Sequence, residues 1–230
     1  MKRFFLVLWI VLLCLVPELA LAQEEPAENS EQSRFQITLD LYPGFSMILE
    51  RDEAWRANAN ISYGLGLVFQ PYDSFELRAG INDQLHSATK RYIHPYPYML
   101  DMDLKIASRA VRIFTSGNWT INTHNPRQDI YLGVGVYTDL IHSATARKTI
   151  TYVPGDQVER IGISDSFEAL TPGAQVQIGI RAEKSRWELR FWSDINTFKV
   201  PGTPAGNMRR AFIGLNYSIN LYNPKEEASR

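Results

Sequence analysis

Ala211-Phe212-Ile213-Gly214-Leu215-Asn216-Tyr217-Ser218-Ile219-Asn220-Leu221-Tyr222 is the stretch on which the fold turns. From Ile213 on, Ile213, Leu215, Tyr217, Ile219 and Leu221 alternate with Gly214, Asn216, Ser218 and Asn220. A strict period of two puts one apolar face and one small, polar face on a β-strand. The same alternation recurs upstream. It predicts eight strands, near 35–49, 57–70, 75–91, 98–114, 128–148, 169–183, 186–199 and 208–222. No part of residues 23–230 has helical periodicity.

The connections differ in length. Pro71 to Ser74 and Glu183 to Arg186 read as tight turns. Thr149 to Glu168 is a long polar loop containing Pro154-Gly155-Asp156, and Pro95 and Pro97 mark another. Pro201 to Pro204 mark a third, and Ser116 to Arg127 is a longer link among the short turns. Short turns at one end and long loops at the other are the pattern of an outer-membrane barrel. An even strand count then puts both ends of the barrel on the short-turn, periplasmic side.

The first 22 residues read as a secretory leader. Lys2 and Arg3 precede the apolar Phe4 to Val16, and Ala20-Leu21-Ala22 is an A-x-A cleavage site. The apolar run falls short of the ~20 residues of a spanning helix. Leu13 before Cys14 argues against a lipoprotein signal. Cys14 is the only cysteine and leaves with the leader, which excludes disulfides and thiolate chemistry from residues 23–230. Without Lys2, Arg3 and Glu18, the chain keeps 22 of its 24 basic and 24 of its 25 acidic residues. That balance does not suggest a nucleic-acid partner. Residues 23–34 are polar and predicted to be a disordered tail. The barrel is expected over 35–222, with 223–230 a periplasmic tail.

A soluble lipocalin-like barrel also alternates, with its apolar face inward. Three features favour lipid outside. The polar faces carry charges of both signs: Glu76 and Arg78; Asp101, Asp103 and Lys105; Arg181 and Glu183; Glu188, Arg190 and Asp194. These are predicted to pair across a narrow lumen. Gly64, Gly66, Gly80, Gly179 and Gly214 lie on the polar faces, where glycine makes room for long side chains. Phe69, Tyr72, Phe75, Trp187 and Tyr222 gather near the short turns, and Tyr42, Trp55, Tyr92 and Tyr98 near the other end. Two such bands suit two membrane interfaces. The expected fold is therefore an all-β, eight-stranded antiparallel up-and-down transmembrane β-barrel. Its interior is just wide enough for side chains to fill, which argues against a pore.

With leader, eight alternating strands, glycine-rich inner face and a final strand Phe212 to Tyr222, the chain resembles the small OmpA/OmpX-like and PorT-like outer-membrane barrels of Gram-negative bacteria. It departs from them in continuing past Tyr222. It also resembles, more loosely, the eight-stranded lipid A deacylases, whose late His-x-Ser pair would fall near Trp192-Ser193. The histidine is missing there, so the resemblance does not carry the activity over.

One internal repeat stands out. Asp83-Gln84-Leu85-His86-Ser87-Ala88-Thr89-Lys90-Arg91 returns as Asp139-Leu140-Ile141-His142-Ser143-Ala144-Thr145-Ala146-Arg147. One reading brings His86 and His142 together at the rim, with Asp83 and Asp139 orienting them for metal binding or acid–base chemistry. The other is duplication of a hairpin. Two histidines fall short of the three protein ligands of catalytic zinc, and neither His94 nor His124 completes the set. The leading expectation is a monomeric, non-enzymatic barrel without a cofactor, in contact with outer-membrane lipid. It would bind an extracellular ligand or protein through 149–168. A membrane-embedded lipid-modifying enzyme and a soluble periplasmic carrier of an apolar ligand are the alternatives.

Overall fold

The computed structural model describes residues 35–50, 53–72, 74–93, 100–121, 129–152, 155–182, 185–203 and 206–222. The leader, both tails, His94, His124, Tyr98 and Glu183 lie outside them. Among the described residues ten strands follow one another: β1 (Phe35–Glu50), β2 (Glu53–Ala54), β3 (Arg56–Tyr72), β4 (Phe75–Ile93) and β5 (Asp101–Ile121). Then come β6 (Asp129–Thr151), β7 (Asp156–Gly162), β8 (Leu170–Arg181), β9 (Ser185–Asp194) and β10 (Met208–Tyr222).

Eight of them are staves of one ring, in the order β10-β9-β8-β6-β5-β4-β3-β1. β10 returns to pair antiparallel with β1, from Ile37 opposite Tyr222 to Glu50 opposite Met208, and the ring closes. Closure removes the free edges that an open sheet would present. Gly44 lies opposite Gly214 in this closing seam. A Cβ on Gly44 would come within 2.4 Å of the Phe212 ring and 2.6 Å of the Gly214 Cα, so no larger residue fits there.

The polarity of the ring is the reverse of a soluble protein's. Leu65, Leu67, Val134, Val176, Ile178, Leu189, Leu215 and Ile219 are exposed on the outside. Arg78, Arg112, Glu188, Arg190 and Asn216 are buried inside. A continuous apolar outer belt of this extent is stable only against lipid. Phe35 stacks on Phe69 at 4.6 Å, Phe75 packs on Trp119 at 5.2 Å, and Trp187 on Tyr217 at 4.4 Å. These ring pairs mark the short-turn end of the belt.

β4, β5 and β6 have 19, 21 and 23 residues. A tilted strand needs only ~9–11 to cross the hydrocarbon, so about half of each projects beyond it. The projecting halves form a four-stranded sheet, β4-β5-β6-β7. In this extension the polarity turns over. On β5, Asn118, Ser116 and Arg112 face inward below, and Ile106, Leu104 and Met102 face inward above. On its other face, Trp119 and Ile113 give way to exposed Arg109, Lys105 and Asp103. The extension thus has the ordinary polarity of a domain in water.

Asp101, Asp103 and Lys105 are not in the lumen; they sit on the outer face of the extension, where the rule that charges point inward no longer holds. Tyr42 and Trp55 are buried inside and form no outer aromatic band. The segment 149–168 is a hairpin and not an open loop: β7 pairs with β6 from Gly162 opposite Thr145 to Asp156 opposite Thr151, and a single 3-10 turn, Ser164–Ser166, follows.

Candidate functional site

The lumen is filled in layers from the short-turn end upward. Lowest is Glu76, held by Arg186 at 2.5 and 2.8 Å, Arg181 at 3.1 Å and Asn118 at 2.6 Å. Arg181 is partly exposed and also binds Asp129 at 2.6 Å. Next is Glu188, which accepts from Arg78 at 3.1 Å, Tyr131 at 2.6 Å, Asn216 at 2.7 Å and Arg190. Arg78 donates its other terminal nitrogen to Asp40 at 2.5 Å. Gly179 leaves the space that the Tyr131 ring occupies, since a Cβ there would lie 2.5 Å from its hydroxyl.

An aromatic layer follows: Tyr42, Phe114, Tyr137, Trp192 and Phe212. The Arg112 guanidinium is held between two of these rings, 3.6 Å from the Tyr137 centroid and 3.9 Å from that of Trp192. Above them Asp139 binds Arg112 at 2.7 Å and Arg210 at 2.8 Å, and Arg210 binds Asp194 at 2.7 Å. Tyr137 donates to Asp194 at 2.9 Å. Buried Arg78, Arg112, Arg186, Arg190 and Arg210 therefore face buried Asp40, Glu76, Asp139, Glu188 and Asp194, five charges against five. Equal numbers matter because an unpaired buried charge costs several kcal/mol.

The extension adds an apolar plug above this network. Ile48, Trp55, Leu104, Ile106, Ile163, Phe198, Val200 and Met208 pack into one buried cluster. At its side Glu50 accepts from Lys90 at 2.7 Å, from the Trp55 indole at 3.0 Å and from the Gly206 N–H at 2.5 Å. Burial pushes the Glu50 carboxyl up, but hydrogen bonds from Lys90, Gly206 and Trp55 outweigh it and hold the pKa below the usual carboxylate value. A carboxyl with a depressed folded pKa stabilises the fold above its unfolded pKa, and that contribution is lost as pH falls through the folded value. Acidification below the ordinary carboxylate range is thus expected to loosen this corner. Hydrogen exchange at the Trp55 indole N–H should accelerate there, and Glu50→Gln should remove the pH dependence.

The repeated Asp and His residues do not form a common site. Residues three apart in a strand point to opposite faces. Accordingly Asp83 is outside, paired with Arg109 and bound by the Tyr63 hydroxyl at 3.1 Å, while His86 is inside, its Nε2 2.9 Å from the Met47 carbonyl oxygen. In the second copy the faces are exchanged: Asp139 is in the lumen and His142 is exposed. A bulge in β6 follows, since Ala110 lies opposite Ile141 and Arg109 opposite Ser143, so His142 has no cross-strand register partner, and its Nδ1 lies 3.1 Å from the Arg109 carbonyl oxygen. The bulge restores the register, so Ala88 and Ala144 both enter the apolar plug. The wall separates the two imidazoles. Among the described residues no group of three His, Cys, Asp or Glu is placed to hold a metal.

At the position where a deacylase has its histidine, Trp192 points inward and stacks on Phe212 at 5.5 Å. Asp40, Arg112, Arg186 and Arg210 also belong to the lumen network, beyond the charges expected there from the strand pattern. The signal for each was its parity with neighbours: Asp40 with Thr38 and Tyr42, Arg112 with Phe114, Arg186 with Glu188, Arg210 with Phe212.

A closed ring with a lipid-compatible exterior and a charge-filled interior admits one architecture. The chain is an eight-stranded transmembrane β-barrel. No family model matches it, and no curated protein does. Among solved structures it is similar to Neisserial surface protein A, at 11% identity and TM-score 0.42, covering 84% of this chain and 100% of that one. It is also similar to the attachment invasion locus protein Ail of Yersinia pestis, at 10% identity and TM-score 0.33, covering 80% and 98%. A third is the outer membrane protein AlkL, at 9% identity and TM-score 0.33, covering 87% and 96%.

Proposed function

We propose that the protein is a closed, non-enzymatic outer-membrane barrel whose role is to hold a rigid β-extension above the membrane as a binding surface. The observation that carries this reading is the double seal of the lumen. An ionic network fills the membrane section and an apolar plug fills the extension, so the described residues leave solute no path along the axis. Among the described residues, what remains for interaction is the outside of the extension, including the exposed strand β7, which is paired with β6 along one edge. Rigid scaffolds that carry an exposed element of this kind commonly serve recognition.

Two measurements test it. Reconstituted in planar bilayers, the barrel is expected to give no stepwise conductance; regular open-channel steps would overturn the closed reading. Because Cys14 is the only cysteine of the chain, Val158→Cys supplies a clean label site on β7. A membrane-impermeant maleimide should modify it in intact cells. Modification only after the cells are broken would place the extension on the inner side and defeat the display role.

A further inference from the structure

Three cations stand in one row on the outer wall of the extension. Lys105 on β5 is the cross-strand partner of Arg147 on β6, and Arg147 is the partner of Arg160 on β7. Directly opposed residues share a sheet face, and all three side chains are exposed. Neighbouring strands lie ~4.8 Å apart, so three positive charges occupy a line about 10 Å long. Among the described residues none of the three has an ion pair or side-chain hydrogen bond. Two other cations of this face are paired, Arg91 with Asp101 and Arg109 with Asp83, while exposed Arg56 on β3 continues the row beyond Thr89, the other neighbour of Lys105. Asp103, two residues from Lys105 along β5, is the nearest carboxylate in the ladder on this face.

Like charges directly opposite each other destabilise a sheet. The extension accepts that cost twice in succession, across β5–β6 and β6–β7. An anion lying along the row would remove it. The position of the row indicates which anion. The same face of β5 carries Ile113 and Val111 in the belt, then Arg109 at its border, then Ala107 and Lys105. Four residues beyond Arg109, on a tilted strand, put the row ~10 Å above the hydrocarbon. It is on the side wall and not at a loop tip, so it faces the headgroups of the surrounding leaflet. A phospholipid headgroup layer is only about 5–7 Å deep, which leaves the row above its phosphates. A saccharide headgroup bearing phosphates reaches that height.

We propose that Lys105, Arg147 and Arg160 form a binding site for the phosphorylated sugars of a glycolipid in the leaflet around the barrel. This rests on the proposed placement of the extension on the outer side of the membrane, and not on any binding role of β7. The test uses the full barrel in phosphatidylcholine nanodiscs that contain lipopolysaccharide or its dephosphorylated form, with retained glycolipid measured by native mass spectrometry. The wild type should hold the phosphorylated form, and each of K105Q, R147Q and R160Q should weaken retention roughly fivefold. Added salt should weaken it further. In pure phosphatidylcholine the triple variant should be at least as stable as the wild type, because a repulsion has been removed.

Equal retention by the wild type and the triple variant would overturn the proposal, and so would indifference to dephosphorylation. A triple variant destabilised in pure phosphatidylcholine would assign the row a structural role instead. Binding of soluble dextran sulfate with no retention of lipopolysaccharide would move the site from the lipid to a soluble polyanion. These outcomes are read in nanodiscs, so a failure here is distinguishable from failure of the Val158→Cys labelling in cells.

Discussion

Glu188→Leu is expected to cost the barrel about 3–5 kcal/mol, the penalty for stranding a buried charge. Glu188 is where the middle of the lumen converges: Arg78, Arg190, Tyr131 and Asn216 all donate to it. After the substitution Arg78 keeps Asp40. Arg190 keeps only ring faces, with Tyr42 at 4.7 Å and Phe114 at 5.2 Å. One guanidinium is then buried without a counter-charge. Adding Arg190→Leu restores the balance of lumen charges, and replacing a buried ion pair by apolar groups is often close to neutral. The double variant should therefore recover most of the loss. Urea unfolding in lipid, followed by the shift between folded and unfolded gel mobility, measures both. A single variant within about 1 kcal/mol of wild type would mean that Glu188 is not a required counter-charge.

Val134→Arg is the second large effect, expected to cost ~2–4 kcal/mol. Val134 is exposed near the middle of the belt on β6, between Leu132 and Val136. A guanidinium there has hydrocarbon around it and is several residues from either headgroup layer. Asp103→Leu provides the contrast. Asp103 lies on the outward face of β5 but in the extension, so its loss should stay within ~0.5 kcal/mol, as for an ordinary surface substitution in water. Had Asp103 belonged to the lumen, its removal would have cost as much as that of Glu188. Both variants can be followed in the same unfolding assay.

That contrast also marks how far the fold could be read from residues alone. Alternation was legible wherever one face meets lipid and the other the lumen, as in Ile213 to Leu221 and in Ile61 to Phe69. The closing pair of β1 with β10 follows from strand count. The ring alternation kept its period through β5, but the chemical meaning of the two faces reversed between Arg112 and Ile106. Period alone does not report such a reversal. Lys105 and Glu188 look alike in a strand pattern, yet one is in water and the other in the lumen. The excess length of β4, β5 and β6 was the available clue, since residues beyond the membrane need obey only the rules for water. Trp55 follows the same rule: in the extension, an aromatic ring belongs inside.

The site followed a different rule. Glu76, Arg78, Arg190 and Asp194 share the parity of their strands' small and polar residues, and the structure buries them together. Asp83 and His86 are near each other in sequence, but a spacing of three separates faces in any regular strand. The bulge at His142 was not encoded in the pattern. It is visible only as the slip between the pairs Ala110–Ile141 and Arg109–Ser143.

The inversion of polarity along β5 is the feature on which the rest depends, and depth-resolved quenching measures it directly. A fluorophore is attached to single cysteines at Ile113 and Asp103 of the barrel in lipid. Ile113 should be quenched by brominated acyl chains and not by iodide, and Asp103 by iodide and not by brominated chains. Quenching of position 103 by brominated lipid, or its shielding from iodide, would contradict a barrel whose upper half is built for water.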